Sequence, residues 1–195
     1  KDLESFYNNK SIENYQVQSN KLVLTQRFYR NTTISKTNLR SLLAGTRYNK
    51  IADNQITQII IGKHITKISY AAFDLQYTYN KKFNSNGVSV QFEGNSILNT
   101  IDKRAFYKNE KINNILTIPA SVVTIGEEAF RDCKLIPRVF FETGSKLKSI
   151  GNSAFRDCEN IAGKLTIPVS VETIGNYAFS HIPLASLEFE AGSRL

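Results

Sequence analysis

The chain has 195 residues, 41% hydrophobic and 22% charged, which suits one folded domain or one repeat array and contains no apolar run long enough for a membrane helix. With two His and two Cys, a multi-ligand zinc site is not expected without several carboxylates. The net charge is +8, but residues 1–55 carry nine Lys/Arg against four Asp/Glu and the remainder sixteen against thirteen, with no run of four basic residues. That spread argues for solubility and against a nucleic-acid footprint.

Taken in chain order, residues 21–29 read as a strand. Residues 35–45 read as a short helix, with Ser35 or Thr37 as cap, Leu39, Leu42 and Leu43 on one face and Gly45 at the stop. Residues 1–55 bury little alone and are expected to cap the remainder of the chain.

From residue 56 onward the chain is periodic. Five Ala-Phe pairs recur, at Ala72-Phe73, Ala105-Phe106, Ala129-Phe130, Ala154-Phe155 and Ala178-Phe179, with Phe spacings of 33, 24, 25 and 24. Five residues before each Phe stands an Ile (Ile68, Ile101, Ile125, Ile150, Ile174), and three before that another aliphatic (Ile65, Leu98, Val122, Leu147, Val171). Upstream lies a short strand-like segment in each copy, such as Leu116-Thr117-Ile118 or Leu165-Thr166-Ile167. A sixth copy starts at Leu187 and stops at Leu195, which implies an array that continues. Even copies carry two extra residues and read Phe-Glu-x-x-Ser-x-Leu, as at Phe92, Phe141 and Phe189. The first spacing contains an added loop at residues 76–87.

A three-residue strand is unstable alone, so each copy must stack on its neighbours in parallel ladders roughly 4.8 Å apart. A period near 24 lies in the leucine-rich-repeat window of roughly 20–29 residues. The expected fold is therefore an α/β repeat solenoid of parallel short strands and short helical turns over residues 56–195, plus an irregular N-terminal cap over residues 1–55.

The run from Leu116 to Cys133, Leu-Thr-Ile-Pro-x-Ser-Val-x-Thr-Ile-Gly-x-x-Ala-Phe-x-x-Cys, resembles the BspA-like class of leucine-rich repeats. The first two copies depart from it, with Ser69 and Asp102 where later copies have Gly126, Gly151 and Gly175. The resemblance implies a right-handed solenoid in a secreted or surface-attached protein, binding host proteins or neighbouring cells, without enzymatic activity or cofactor.

Candidate chemistry is sparse. Cys133 and Cys158 share one slot in successive copies and read as buried free thiols. His64 and His181 stand four copies apart, and neither has a nucleophile partner. Arg131-Asp132 and Arg156-Asp157 read as a ladder of exposed ion pairs, while Glu128, Lys148 and Asn152 read as solvated surface. Gly126, Gly151 and Gly175 read as turn glycines.

The expected binding surface is the ribbon of outward mid-strand residues: Ile60, Gln91, Thr117, Phe140, Thr166 and Glu188. Phe140 stands out as an aromatic facing water. The loop carrying Tyr77, Tyr79 and Phe83 is the second candidate. A protein partner is expected. The competing readings are a structural spacer, and attachment of the basic N-terminal region to an anionic polymer.

Overall fold

The computed structural model describes residues 15–18, 21–24, 33–35, 55–74 and 80–195. In chain order the strands are β1 (Tyr15–Gln18), β2 (Lys21–Leu24), β3 (Thr33–Ile34), β4 (Gln58–Ile61), β5 (Lys67–Ile68), β6 (Ser89–Phe92) and β7 (Thr100–Ile101). They continue as β8 (Leu116–Ile118), β9 (Thr124–Ile125), β10 (Val139–Phe141), β11 (Ser149–Ile150), β12 (Gly163–Ile167), β13 (Thr173–Ile174) and β14 (Leu184–Phe189).

From β2 onward, coil after coil contributes one longer and one two-residue strand. The two-residue strands form a single six-stranded parallel sheet in the order β13-β11-β9-β7-β5-β3. Its register pairs like with like, for example Ile101 with Ile125 and Ile125 with Ile150. Every inward Ile in the ladder from Ile34 to Ile150 is buried.

The longer strands form the other wall, in three pieces: β1-β2-β4-β6, β8-β10 and β12-β14. The breaks fall after even copies, which explains the 49-residue double period. Within an odd–even pair the strand ladder is continuous, and the Glu after each even strand accepts a backbone N–H from the odd coil before it. Glu93 takes Lys63 N–H, Glu142 takes Ala120 N–H and Glu190 takes Val169 N–H, at 2.8, 2.9 and 2.9 Å. Across the breaks other groups substitute. The hydroxyls of Ser121 and Ser170 donate to the Leu98 and Leu147 carbonyls at 2.8 Å. At the first break the Asn114 amide bonds both the N–H and the C=O of Val90, at 2.8 and 2.9 Å.

The third side consists of turns. The expected helical turns are absent among the described residues, where the one helical segment is a 3-10 turn at Asn80–Lys82 in the added loop. In the four coils around Phe106, Phe130, Phe155 and Phe179, two non-glycine residues, two before and two after the Phe, take left-handed backbone angles, as Glu128 (φ 55) and Asp132 (φ 59) do. These angles are uncommon for side-chain-bearing residues. They aim N–H groups along the axis: Glu128 N–H donates to Asn152 O, Phe130 N–H to Ala154 O and Asp132 N–H to Arg156 O, at 2.9, 2.8 and 2.9 Å. The turn side is thus bonded between coils much as a sheet is.

Between the walls the five Phe rings stack face to face, with centroids 4.8, 5.0, 5.1 and 5.6 Å apart in order. The slot three residues after Phe106, Phe130 and Phe155 points a donor at the Phe carbonyl of the coil before: Asn109 Nδ2 to Phe73 O at 3.2 Å, and the Cys133 and Cys158 thiols to Phe106 O and Phe130 O at 3.0 Å. This is why both Cys and Asn occur there. Both thiols are free and buried.

The glycines four residues before Phe130 and Phe155 do more than turn. A Cβ at Gly126 would lie 2.5 Å from Lys103 N, and one at Gly151 2.5 Å from Glu127 N, each in the preceding coil. Absence of a side chain is what lets these coils approach.

The repeat register extends upstream of residue 56. β2 pairs in parallel with β4, Leu22 against Ile59, and β3 with β5, Ile34 against Ile68. β1 folds antiparallel on the outer edge of β2. The strand expected over residues 21–29 is thus present at Lys21–Leu24, while its remainder and, apart from Ser35, the helix expected over residues 35–45 lie outside the described residues.

Candidate functional site

On the turn side the expected Arg-Asp ladder forms diagonally. Arg131 reaches both Asp132 and Asp157 at 3.6 Å, and Arg156 reaches Asp157 at 3.3 Å. Glu128 corrects the sequence reading: it is buried, at 7% exposure, and receives Arg104 Nε and Arg131 Nη1 at 2.5 Å each. Burial alone would raise its carboxyl, but the hydrogen bonds from Arg104 and Arg131 outweigh this and hold it below the usual range. Lys148 and Asn152 do lie on the surface, where Lys148 pairs with Glu172 and Asn152 accepts Asn176 N–H.

His181 occupies the same slot as Asp157 one coil on, and its Nδ1 lies 2.7 Å from Asp157 Oδ1. His64 is exposed in the turn after β4. On the turn side Arg104, Glu128, Arg131, Asp157 and His181 are engaged in coil-to-coil pairs, and no metal-binding cluster of His, Cys, Asp or Glu exists among the described residues. No helix among them is long and apolar enough to cross a membrane.

The ribbon is the other candidate. Ile60 pairs with Gln91, Thr117 with Phe140 and Thr166 with Glu188, all at mid-strand. Gln91, Thr117, Phe140 and Glu188 are exposed, Ile60 and Thr166 half-buried. Phe140 keeps 44% of its surface in water. It borders the second break in the wall, where β10 and β12 are not hydrogen-bonded into one sheet. Gly163 stands there in the place of Asn114, so no side-chain amide bridges this seam.

Arg138, Phe140, Phe141, Lys164, Thr166 and Glu190 line the resulting open depression. The Arg138 side chain lies over Gly163, about 4 Å from where a Cβ would sit. Lys164 pairs with Glu188 at 2.5 Å.

The loop candidate fares differently. Tyr77 and Tyr79 lie outside the described residues. Phe83 was expected at the surface and is instead 2% exposed, because its backbone bridges Ile56 and its ring enters the core beside it. Lys111 Nζ donates to the Phe83 carbonyl at 3.0 Å and holds this segment down.

Sequence reasoning passed over Arg138, Lys164, Glu142 and Glu190. The signal was available: residues two before and two after an outward mid-strand residue share its face.

Stacked coils of about 24 residues, one longer strand each, an Ile ladder and an Ala-Phe slot match a known design. The family model for the BspA type leucine-rich repeat region matches residues 2–80 and 76–194, in six copies. The chain belongs to that family. The BspA-type match includes the N-terminal region in which β2 and β3 continue the ladders. Among solved structures, this BspA-type chain is similar to the pneumococcal vaccine antigen PcpA, at 20% identity and a TM-score of 0.57, over 92% of this chain and 48% of that one. A leucine-rich cell surface protein of Faecalibacterium prausnitzii matches at 18% identity and a TM-score of 0.44, over 92% of this chain and 53% of that one. The chain thus spans about half the length of each, and the likeness to PcpA shows the fold. Comparison with curated proteins gives no match.

Proposed function

We propose that this chain is a non-enzymatic protein-binding module of a surface or secreted protein, and that it meets its partner through the strand ribbon around Phe140. One observation carries the reading: the coils on either side present Thr117 and Thr166 at the same position, whereas this coil presents a half-exposed aromatic over an open seam. Exposed aromatics in rimmed depressions are the usual anchors of protein interfaces. Family membership and the PcpA-like fold support a surface role, and the partner would belong to a host or neighbouring cell. In this reading residues 1–55 close one end of the array, with β1 covering the edge of β2.

The test is selection of a random peptide library displayed on phage against the native chain, with counter-screening on Phe140→Thr. Threonine is what the adjacent coils carry, so the variant keeps the fold. Selected clones should lose at least tenfold in signal on Phe140→Thr. Clones that bind both proteins equally would remove the ribbon from the function.

A further inference from the structure

The ribbon has a charge order across its width. Two residues before the mid-strand position stand Ile115, Arg138 and Lys164 in successive coils. Two residues after it stand Pro119, Glu142 and Pro168, with Glu93 and Glu190 in the flanking even coils. One margin is therefore basic and apolar, the other acidic, and Phe140 lies between them.

The balance of pairing sharpens this. Lys164 is neutralised by Glu188, but Arg138 has no ion-pair partner among the described residues. Glu142 and Glu190 each use one carboxylate oxygen, Oε2, on a backbone N–H, and neither meets a cation among the described residues. The strand ladder runs from Arg138 O to Glu142 N–H without interruption, so the two margins are four residues of extended chain apart, about 13 Å.

We infer that the ribbon takes an extended peptide segment of its partner carrying an acidic, an apolar and a basic side chain at alternate positions. The acidic side chain meets Arg138, the apolar one covers Phe140, and the basic one meets Glu142 and Glu190. Alternate residues of an extended segment share one face, so an acid-x-apolar-x-base pattern spans the same four-residue distance as Arg138 to Glu142. A segment reading acid-x-apolar-x-base from its N-terminus runs parallel to the strands, and one reading base-x-apolar-x-acid runs antiparallel, since turning either round brings like charges together. This inference rests on the ribbon reading above and specifies the chemistry of the partner.

The probes are three fluorescent 12-residue peptides with Glu-x-Leu-x-Arg, Glu-x-Leu-x-Glu or Arg-x-Leu-x-Arg at their centre and Ser or Thr elsewhere, read by anisotropy at low ionic strength. Each uniform peptide makes one attraction and one repulsion. The mixed peptide should therefore bind about tenfold tighter than either, from exposed charge pairs of modest individual strength. Glu142→Gln keeps an acceptor for Ala120 N–H while removing the charge, and should narrow the gap over Glu-x-Leu-x-Glu to about threefold while leaving the gap over Arg-x-Leu-x-Arg unchanged. Arg138→Glu makes both margins acidic, so the Arg-x-Leu-x-Arg peptide should overtake the mixed one. Equal binding of all three peptides, no switch in Arg138→Glu, or no binding by any of them overturns the inference. Equal binding that is nonetheless lost in Phe140→Thr leaves the ribbon reading standing and removes only the charge order; binding indifferent to Phe140→Thr removes both.

Discussion

Replacing Phe130 by Ala should cost about 4 kcal/mol, and the structure shows why the loss is large. The ring is fully buried and sandwiched between Phe106 and Phe155, at 5.0 and 5.1 Å between centroids. A buried Phe removes roughly 150–250 Å² from water, and losing the ring beyond Cβ forfeits roughly 100 Å², or about 2.5 kcal/mol. The void cannot close, because the flanking rings are held apart by backbone bonds between coils, Phe106 N–H to Ala129 O and Phe130 N–H to Ala154 O, at 2.7 and 2.8 Å. A residual cavity of roughly 70 Å³ adds about 1.5–2 kcal/mol. Phe179 is the internal control. It is half-buried, stacks on one ring alone at 5.6 Å and leaves no enclosed void when truncated, so Phe179→Ala should cost only about 1–2 kcal/mol. Urea unfolding followed by circular dichroism reads both. At a slope of ~2 kcal/mol/M the midpoint falls by about 2 M for Phe130→Ala and by about 0.5–1 M for Phe179→Ala. A loss below about 1 kcal/mol at Phe130, or equal losses at the two sites, would refute a continuous ring stack as the core of the array.

The remaining expectations test other parts of the stack. Burial pushes the Cys158 thiol up to about 12 and the Cys133 thiol well above its ordinary value, so neither should react with a thiol reagent until the protein unfolds, and an intact mass two hydrogens short would contradict this. Glu128→Gln should destabilise by about 1.5–3 kcal/mol at neutral pH, since a buried carboxylate bonded to two Arg is replaced by a neutral amide. The Glu128 carboxyl titrates lower in the folded state than its unfolded value of about 4.3, so its contribution is full above that pH and is lost as pH falls through the folded value. Wild type and variant should thus converge in acid, and a gap in urea midpoint that is constant with pH would count against the pairing. In hydrogen exchange, amides of Leu187–Phe189 should be less protected than those of Leu116–Ile118, because Leu116 and Ile118 are buried whereas Leu187 and Phe189, in the equivalent positions, are exposed; equal protection in a monomer would mean that this edge is covered.

What the sequence made legible is what repeats identically. The Ala-Phe slot, the inward aliphatics and the mid-strand positions recur at fixed spacing, and each lies in the wall or core where its period put it. The Thr-Ile strands were harder to see, because two residues are too few to show alternation, and only stacking on equivalent copies makes them strands. Glu128 was read as surface because a carboxylate is rarely buried. Its partners are Arg104, one coil away, and Arg131, on the far side of a turn, a proximity created by the left-handed residues that no glycine announced. The glycines were legible as one per coil, but their role depends on the backbone of the coil before. Phe83 looked available because its neighbours are polar, yet Ile56, earlier in the chain, and Lys111, in the coil after, draw it inward. Coil-like pairing at Leu22 and Ile34 escaped notice because no Ala-Phe pair marks that part of the chain.

The division of work between the sides of the solenoid bears on how its surface is free to change. Coil-to-coil cohesion resides largely in the Phe stack, the Ile ladder, the turn-side backbone bonds and the strand ladders, which use main-chain groups or inward side chains, supplemented by turn-side ion pairs and by Ser, Asn and Glu side chains at the joints. The outward mid-strand position enters none of them with its side chain, except where Glu188 pairs with Lys164, and it holds Ile, Gln, Thr, Phe, Thr and Glu in six successive coils. Substitutions at such surface sites usually stay within about 0.5 kcal/mol, so recognition there is separable from folding. The two margins of the ribbon differ in this respect. Glu142 and Glu190 bind a backbone N–H of the coil before as well as facing outward, and changing them disturbs an odd–even joint. Arg138 makes no side-chain bond that the fold requires among the described residues. A new charge preference is therefore gained at less cost in stability from the Arg138 margin than from the acidic one.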